Sequence, residues 1–186
     1  MDSSADEQLV ERFKESGSPQ YFDELVARHI KKVRQMIYPM VLNDADADEL
    51  TQEVFLRVVR HLESFHAKAS FSTWLHRIVM NTTRSFLKKR NHSVVESRPE
   101  VPEVVTRDGC PVDAAAASEL DRDITEALKS LNPTLRAAVT LVSIHGMSPK
   151  EAAEVEGCVV ATMYWRVHEA RRLLKETLGE GVLNVR

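Results

Sequence analysis

Residues 147–174 read "MSPKEAAEVEGCVVATMYWRVHEARRLL", two helical patterns parted by one glycine. Ser148, Pro149 and Glu151 spell a helix start: a capping serine, a proline at the first helical position, and a glutamate that reaches back to the cap. Ala152, Ala153 and Val155 then give a short helix with a small apolar face, and Gly157 supplies the turn. Val160 opens a longer helix. At 100° per residue, Met163, Val167, Ala170 and Leu174 fall within about 60° of one another, so they form the predicted buried stripe. Leu173 lies off that stripe and Arg171 beside it. Trp165, Glu169 and Arg172 fall on the far side, flanked by Thr162 and Arg166. Helix, glycine turn, helix is the helix-turn-helix pattern, whose second helix enters the major groove. An ordinary helical hairpin with a solvated basic face has the same spacing. An outward Trp165 suits DNA or a protein partner equally.

Upstream, "NP" at 132–133 places a cap and a first-turn proline before Leu135, Val139 and Val142. Residues 91–118 break the helical spacing with three prolines and one glycine, so they read as a linker with a mobile middle. Before them, Tyr21, Phe22, Leu25, Val26, Ile30, Val33 and Ile37 keep a helical period over 21–42, which Pro39 is expected to kink or end. A shorter helix can precede it. Asp46 and Glu49 suggest a capping box opening a helix through Leu50, Val54, Phe55, Val58 and Leu62. A further helix runs through "FSTWLHRIVMNTTRSFLKKR", with Trp74, Ile78, Val79 and Phe86 as inner positions. The expected fold is all-α: two small helical domains, 1–92 and 119–186, joined by a flexible linker, 93–118, with the helix-turn-helix in the second.

Charge sharpens this reading. The 186 residues carry a net charge of −3, which does not advertise nucleic-acid binding. The distribution does. Residues 44–53 hold five acids and no base, residues 71–95 five bases and no acid, residues 96–126 a net of −6, and residues 159–175 a net of +3. Two basic segments therefore flank an acidic one. In the first, Arg77, Arg84 and Lys88 share a broad face beside aromatics that can stack on unpaired bases. Trp74 there also suits a core position, and "KKR" at 88–90 suits a helix C-terminus.

Other chemistries find little support. Cys110 and Cys158 make neither a disulfide framework nor a metal spacing. The seven histidines are scattered, without the pairing of a zinc-hydrolase helix. No glycine loop cradles phosphate, so no cofactor, metal or catalytic residue is expected. No secretory signal and no apolar run of spanning length is seen. A cytoplasmic protein without membrane contact of its own is expected.

Taken together, the blocks resemble the extracytoplasmic-function (ECF) sigma factors, small two-domain members of the sigma-70 family. "YFDELVARHIKKV", "DADELTQEVFLRVVRHLESF", "FSTWLHRIVMNTTRSFLKKR" and "LNPTLRAAVTLVSIHGMSPKEAAEVEGCVVATMYWRVHEARRLL" carry the likeness, from about residue 5 to residue 178. The resemblance implies no enzyme activity. It implies binding to core RNA polymerase, at its β′ coiled coil and β flap, with Asp48, Glu49, Leu50, Gln52 and Glu53 at the dock. It implies that the loop 65–70, with His66 and Lys68, and Asn81, Arg84, Lys88, Lys89 and Arg90 meet the melted −10 promoter element. Thr162, Trp165, Arg166, Glu169 and Arg172 would meet the −35 element of promoter DNA. An anti-sigma factor is a further implied partner, and the acidic linker would thread a basic polymerase channel. Where many members carry Gly-Thr-Val-Lys-Ser-Arg, this chain has "ATMYWR" (161–166), so the start of the last helix is bulkier and less basic. The competing function is a stand-alone helix-turn-helix regulator, which would dimerise on palindromic sites. An enzyme using the carboxylates of 44–53 lacks accompanying histidines.

Overall fold

A computed structural model of the chain describes residues 3–66, 69–96 and 113–178, and the side chains of 5–66, 69–90 and 122–178. Among these residues there is no strand. The N-terminal half comprises α1 (Ser3–Ser16), α2 (Pro19–Val41), α3 (Asp44–His61) and α4 (Phe71–Glu96). The second half comprises α5 (Asp113–Ser130), α6 (Pro133–Val139), a π-type turn at Thr140–Ile144, α7 (Pro149–Glu156) and α8 (Val160–Leu178). The short helix expected before residue 21 is α1. Helices α4 and α5 both run into the segment read as linker. Residues 97–112, which contain its expected mobile middle, lie outside the described residues.

Local chemistry sets most boundaries. Asn132 accepts from the Leu135 amide at 2.9 Å, with Pro133 in the first turn. Ser148 and Glu151 form the expected reciprocal cap, and hydrogen bonds from Ser148 hold the Glu151 carboxyl below the usual carboxylate range. Gly157 ends α7 at φ 64°, in the left-handed region that glycine enters without a Cβ clash. Two expectations change. The cap of α3 is Asn43, whose side chain accepts from the Asp46 amide at 2.9 Å. Asp46 lies inside the first turn and pairs with Arg90 at 3.0 Å. Nor does Pro39 end α2, which continues to Val41 and closes on Leu42 at φ 56°. A proline so near the C-terminus costs one intrahelical bond, to the Gln35 carbonyl.

The N-terminal bundle buries Val10 of α1, Leu25, Val33, Met36 and Ile37 of α2, Leu50, Val54 and Val58 of α3, and Leu75, Val79 and Met80 of α4. Each such side chain contributes about 1.5–3 kcal/mol on leaving water, which outweighs the weak helix preference of the valines. The stripe Met163, Val167, Ala170 and Leu174 is buried along α8, as its periodicity predicts. Ala170 and Leu174 pack with Leu128, Leu131 and Leu135, whereas Met163 and Val167 join a core continuous with the N-terminal bundle. The two halves therefore meet through apolar contact, with α7 lying against α4. Arg136 of α6 reinforces this joint. It donates to the Met40 carbonyl at the end of α2 (3.0 Å) and to Leu131 and Lys129 carbonyls at the end of α5. A cation there complements the negative ends of both helices.

Candidate functional site

Three surfaces hold the predicted residues. On α3, Asp48, Glu49 and Gln52 are exposed and Glu53 is half-buried. The acids largely have partners within the chain. Arg34 donates to Asp48 (2.5 Å) and Asp44 (2.7 Å), and Arg57 to Glu53 (2.6 Å). Glu49 has no ion-pair partner among the described residues. Leu50 is a correction: it is 1% exposed and faces the core. Its side chain has no surface to offer a partner, because Ala47, Leu50, Val54 and Val58 form the inward stripe of α3. What stands out instead is Leu56, 55% exposed beside Gln52 and Glu53. The sequence hinted at it: Leu56 falls outside that stripe on a charged face.

The loop after α3 is anchored by aromatics. Phe65, Phe71 and Trp74 pack with ring centroids 5.4–5.8 Å apart, and Lys14 donates to the Phe65 carbonyl at 2.6 Å. Trp74 is thus a packing residue. This cluster fixes the base of the loop and leaves His66 exposed, its ring bonded to the Ser64 carbonyl. Lys68 lies outside the described residues.

On α4, Asn81, Lys88, Lys89 and Arg90 are exposed. Arg90 lies over the Phe86 ring and pairs with Asp46. Asn81 accepts from Arg84 at 3.2 Å. Thr82 and Thr83 turn inward, Thr83 bonding the Val79 carbonyl. Arg84 also reaches across to α7, where it meets Glu156 at 2.7 Å. One turn-pair earlier, Arg77 donates to the backbone carbonyl and carboxylate of Glu154 at 3.1 and 3.2 Å.

On α8, Trp165 is 62% exposed, as its angular position requires, and Tyr164 beside it is 61% exposed. Thr162 and Arg166 are half-buried. Arg172 lies between Glu169 (2.7 Å) and Glu176, so the Glu169 carboxyl is held below its ordinary range. Arg171 reaches back to the Ser143 hydroxyl. The side chains Tyr164, His168, Arg171, Arg172 and Lys175 line one open groove along the helix. Arg166 is the exception, turned inward to Glu156 at 3.5 Å. Glu156 and Glu154 were not singled out by sequence reasoning, because their partners on α4 lie more than seventy residues away. No cluster of three or more metal-ligating side chains occurs among the described residues.

A helical bundle with an acid-bearing helix and a basic helix, followed by a helix-turn-helix with an aromatic and basic outer face, defines a two-part DNA-binding protein. Comparison with known proteins narrows the class. Sigma-70 region 2 matches residues 25–93 and Sigma-70, region 4 matches residues 121–174. The chain is 31% identical over 181 residues to the ECF RNA polymerase sigma-E factor of Haemophilus influenzae, covering 93% of this chain and 95% of that protein. It is 35% identical over 160 residues to ECF RNA polymerase sigma factor SigE of Mycolicibacterium smegmatis, covering 86% of this chain and 62% of that protein. Among solved structures it resembles CnrH in complex with the cytosolic domain of CnrY, with a TM-score of 0.68 at 28% identity over 95% of this chain and 96% of that one. The chain belongs to the ECF sigma factors of the sigma-70 family.

Proposed function

We propose that this chain is an alternative sigma factor that binds core RNA polymerase and directs initiation at promoters read at two separate points. The observation that carries this is the order of the two sigma regions along one chain, each with its own basic helical surface: α4 in region 2 and α8 in region 4. In this reading, residues 1–92 and 119–186 are the working units and 93–118 connects them.

Asp48, Glu49, Gln52 and Glu53 on α3 dock on the β′ coiled coil of the polymerase, with Leu50 holding the helix from inside. The second unit meets the β flap. His66, Lys68, Asn81, Arg84, Lys88, Lys89 and Arg90 receive the opened −10 strand. There, side-chain stacking and phosphate contacts offset an unstacking cost of a few kcal/mol. Thr162, Trp165, Arg166, Glu169 and Arg172 lie in the major groove of the −35 element. Polymerase performs the catalysis. The complex of CnrH with CnrY, and the co-crystal of RpoE with the anti-sigma factor NepR from Bartonella quintana, make an anti-sigma factor a fitting regulator of this chain too. Among the described residues no helix is long and apolar enough to cross a membrane.

The test is run-off transcription with purified core polymerase. Added protein should start transcripts at a promoter with two spaced elements, and charge reversal at Arg84 and Lys88, or at Arg166 and Arg172, should abolish them in a folded protein. Tight dimeric binding to palindromic duplex without polymerase, and no transcripts, would instead identify a stand-alone regulator.

A further inference from the structure

We infer that Lys14 of α1 is a positioning residue for recognition of the opened −10 strand, because it fixes the peptide from which His66 is presented. His66 is assigned to that strand in the function proposed above, and the role of Lys14 rests on that assignment.

Phe65 is where the chain leaves the short turn Leu62–Ser64 after α3 and becomes extended (φ −70°, ψ 120°). A single 3-10 turn has poor hydrogen-bond geometry and holds such an exit weakly. The Phe65 amide donates to the Leu62 carbonyl at 3.1 Å. The Phe65 carbonyl accepts from the Lys14 ammonium, 51 residues away in the chain, at 2.6 Å. The same ammonium lies 5.9 Å from the centre of the Phe65 ring. A bond from a charged donor is roughly twice as strong as one from a neutral donor. A peptide is planar, so the Phe65 oxygen and the His66 nitrogen lie in one rigid plane. Holding that oxygen therefore sets the direction in which His66 departs. The Phe65 side chain cannot swing to relax it, since it is buried against Phe71 and Trp74. His66 itself is exposed, with its ring bonded to the Ser64 carbonyl.

Helix α1 reaches this base twice. Asp6 holds His29 at 2.8 Å, and the His29 ring lies 5.5 Å from that of Phe71. Asp6 and His29 are buried and serve the core as well. Lys14 is different. Buried Leu9 and Val10 hold α1 against the bundle. The other ion pair of Lys14, with Glu11 at 3.2 Å, is mostly exposed on the glutamate side and contributes little. Folding of the bundle therefore does not depend on the ammonium, whereas the orientation of the Phe65 peptide does.

The experiment uses holoenzyme assembled from the full chain and core polymerase, with a promoter drawn from a random-sequence library by run-off transcription. The probe is a fluorescent 12-nucleotide single strand carrying the −10 element of that promoter, compared with the same bases scrambled. The readout is the ratio of the two affinities. A loss of stability or of polymerase binding lowers both affinities alike and leaves the ratio unchanged. The unaltered chain should prefer the intact strand, and His66→Ala should reduce that preference. Lys14→Met should lower the ratio at least threefold, with polymerase affinity unchanged. Lys14→Arg, which keeps a charged donor, should retain most of the ratio, and Glu11→Gln should retain all of it. An unchanged ratio in Lys14→Met would overturn the role of Lys14 while leaving the assignment of His66 standing. A loss in Lys14→Arg or in Glu11→Gln as large as that in Lys14→Met would also overturn it, since the charged donor to Phe65 would then not be what counts. No preference in the unaltered holoenzyme, or none lost in His66→Ala, would remove the assignment itself and the role of Lys14 with it. If Lys14→Met does not fold, Lys14→Gln takes its place, with a twofold loss expected and no loss overturning the role.

Discussion

His145, in the turn before α7, lies against the backbone of Gln35 in α2, one turn before Pro39. The contact crosses from one half of the chain to the other, around an imidazole whose buried Nε2 has no hydrogen-bond partner. Burial, the largest cause, and nearby Lys32 push the His145 pKa down, against the raising effect of the Gln35 backbone. His76 of α4 is pushed down to about 4, first by burial, then by the charge that His145 and His29 carry when protonated and by Lys32, with Glu151 opposing.

Both rings are neutral in the folded protein at neutral pH, while in the unfolded chain they protonate below about 6.5. For His76 the unfolded state binds more protons between about pH 4 and 6.5, so stability falls as the pH drops through that window and levels off below it, and His145 adds to the fall in the same direction. For His76 the full loss is about 3 kcal/mol, of which about 2 kcal/mol falls between pH 7.5 and pH 5. Urea midpoints at pH 7.5 and pH 5 should differ accordingly, and His76→Gln should flatten most of the difference. Midpoints independent of pH across that range would show that these rings are not desolvated.

Asp6 shows where buried charge differs from surface charge. Its carboxylate meets His29 at 2.8 Å and Arg28 at 3.1 Å, with Asp6 and His29 side chains 6% and 2% exposed. Asp6→Asn removes the anion but leaves the buried donors, so it should cost about 3 kcal/mol in urea unfolding. Glu11→Gln, which breaks the exposed pair with Lys14, should cost under about 0.5 kcal/mol. Similar losses for the two would mean that burial does not govern these pairs.

These interactions mark the boundary of what the sequence could tell. The α8 stripe, the Asn132 and Ser148 caps and the Gly157 turn depend on residues within one or two helical turns, and local spacing reveals them. Sequence spacing puts the cap of α3 at Asp46, three residues past Asn43, because aspartate caps as well as asparagine does and the choice depends on where Leu42 ends the preceding helix. Pro39 does not end α2 because it lies within the last turn, where few intrahelical bonds remain to be lost. Leu50 was assigned to a docking face by resemblance, although its spacing with Ala47, Val54 and Val58 already placed it inside. The run Ala114–Ala117 fell within the expected linker, yet alanine is the best helix former, and α5 includes it. Glu156 carries no local signal at all: its role exists only once α7 lies on α4.

Trp165 separates recognition from stability. An indole 62% exposed on α8 contributes little to folding, so Trp165→Ala should leave the urea midpoint within about 0.5 kcal/mol. Run-off transcription should then lose at least fivefold on a promoter with an intact −35 element, and much less on one whose −35 element is scrambled. A large loss of stability with unchanged promoter choice would make Trp165 a packing residue instead.

Leu56 is the remaining exposed feature of α3. Single exposed leucines are ordinary on protein surfaces, but this one shares a helical face with Asp48 and Gln52, at four-residue spacing, among acids already satisfied by Arg34 and Arg57. Charges paired within the chain give little net attraction to a partner, whereas an apolar side chain loses water on contact whatever surrounds it. The acids then steer and orient the approach, and Leu56 supplies the anchor. Leu56→Ala should leave the urea midpoint within about 0.5 kcal/mol, since the side chain is already in water. It should weaken binding to core polymerase about tenfold, a loss of about 1.4 kcal/mol, with little change in salt dependence. Glu49→Lys should instead act mainly through salt-sensitive association. Unaltered polymerase affinity in Leu56→Ala, measured by titration of labelled chain with core enzyme, would place the anchor elsewhere on the bundle.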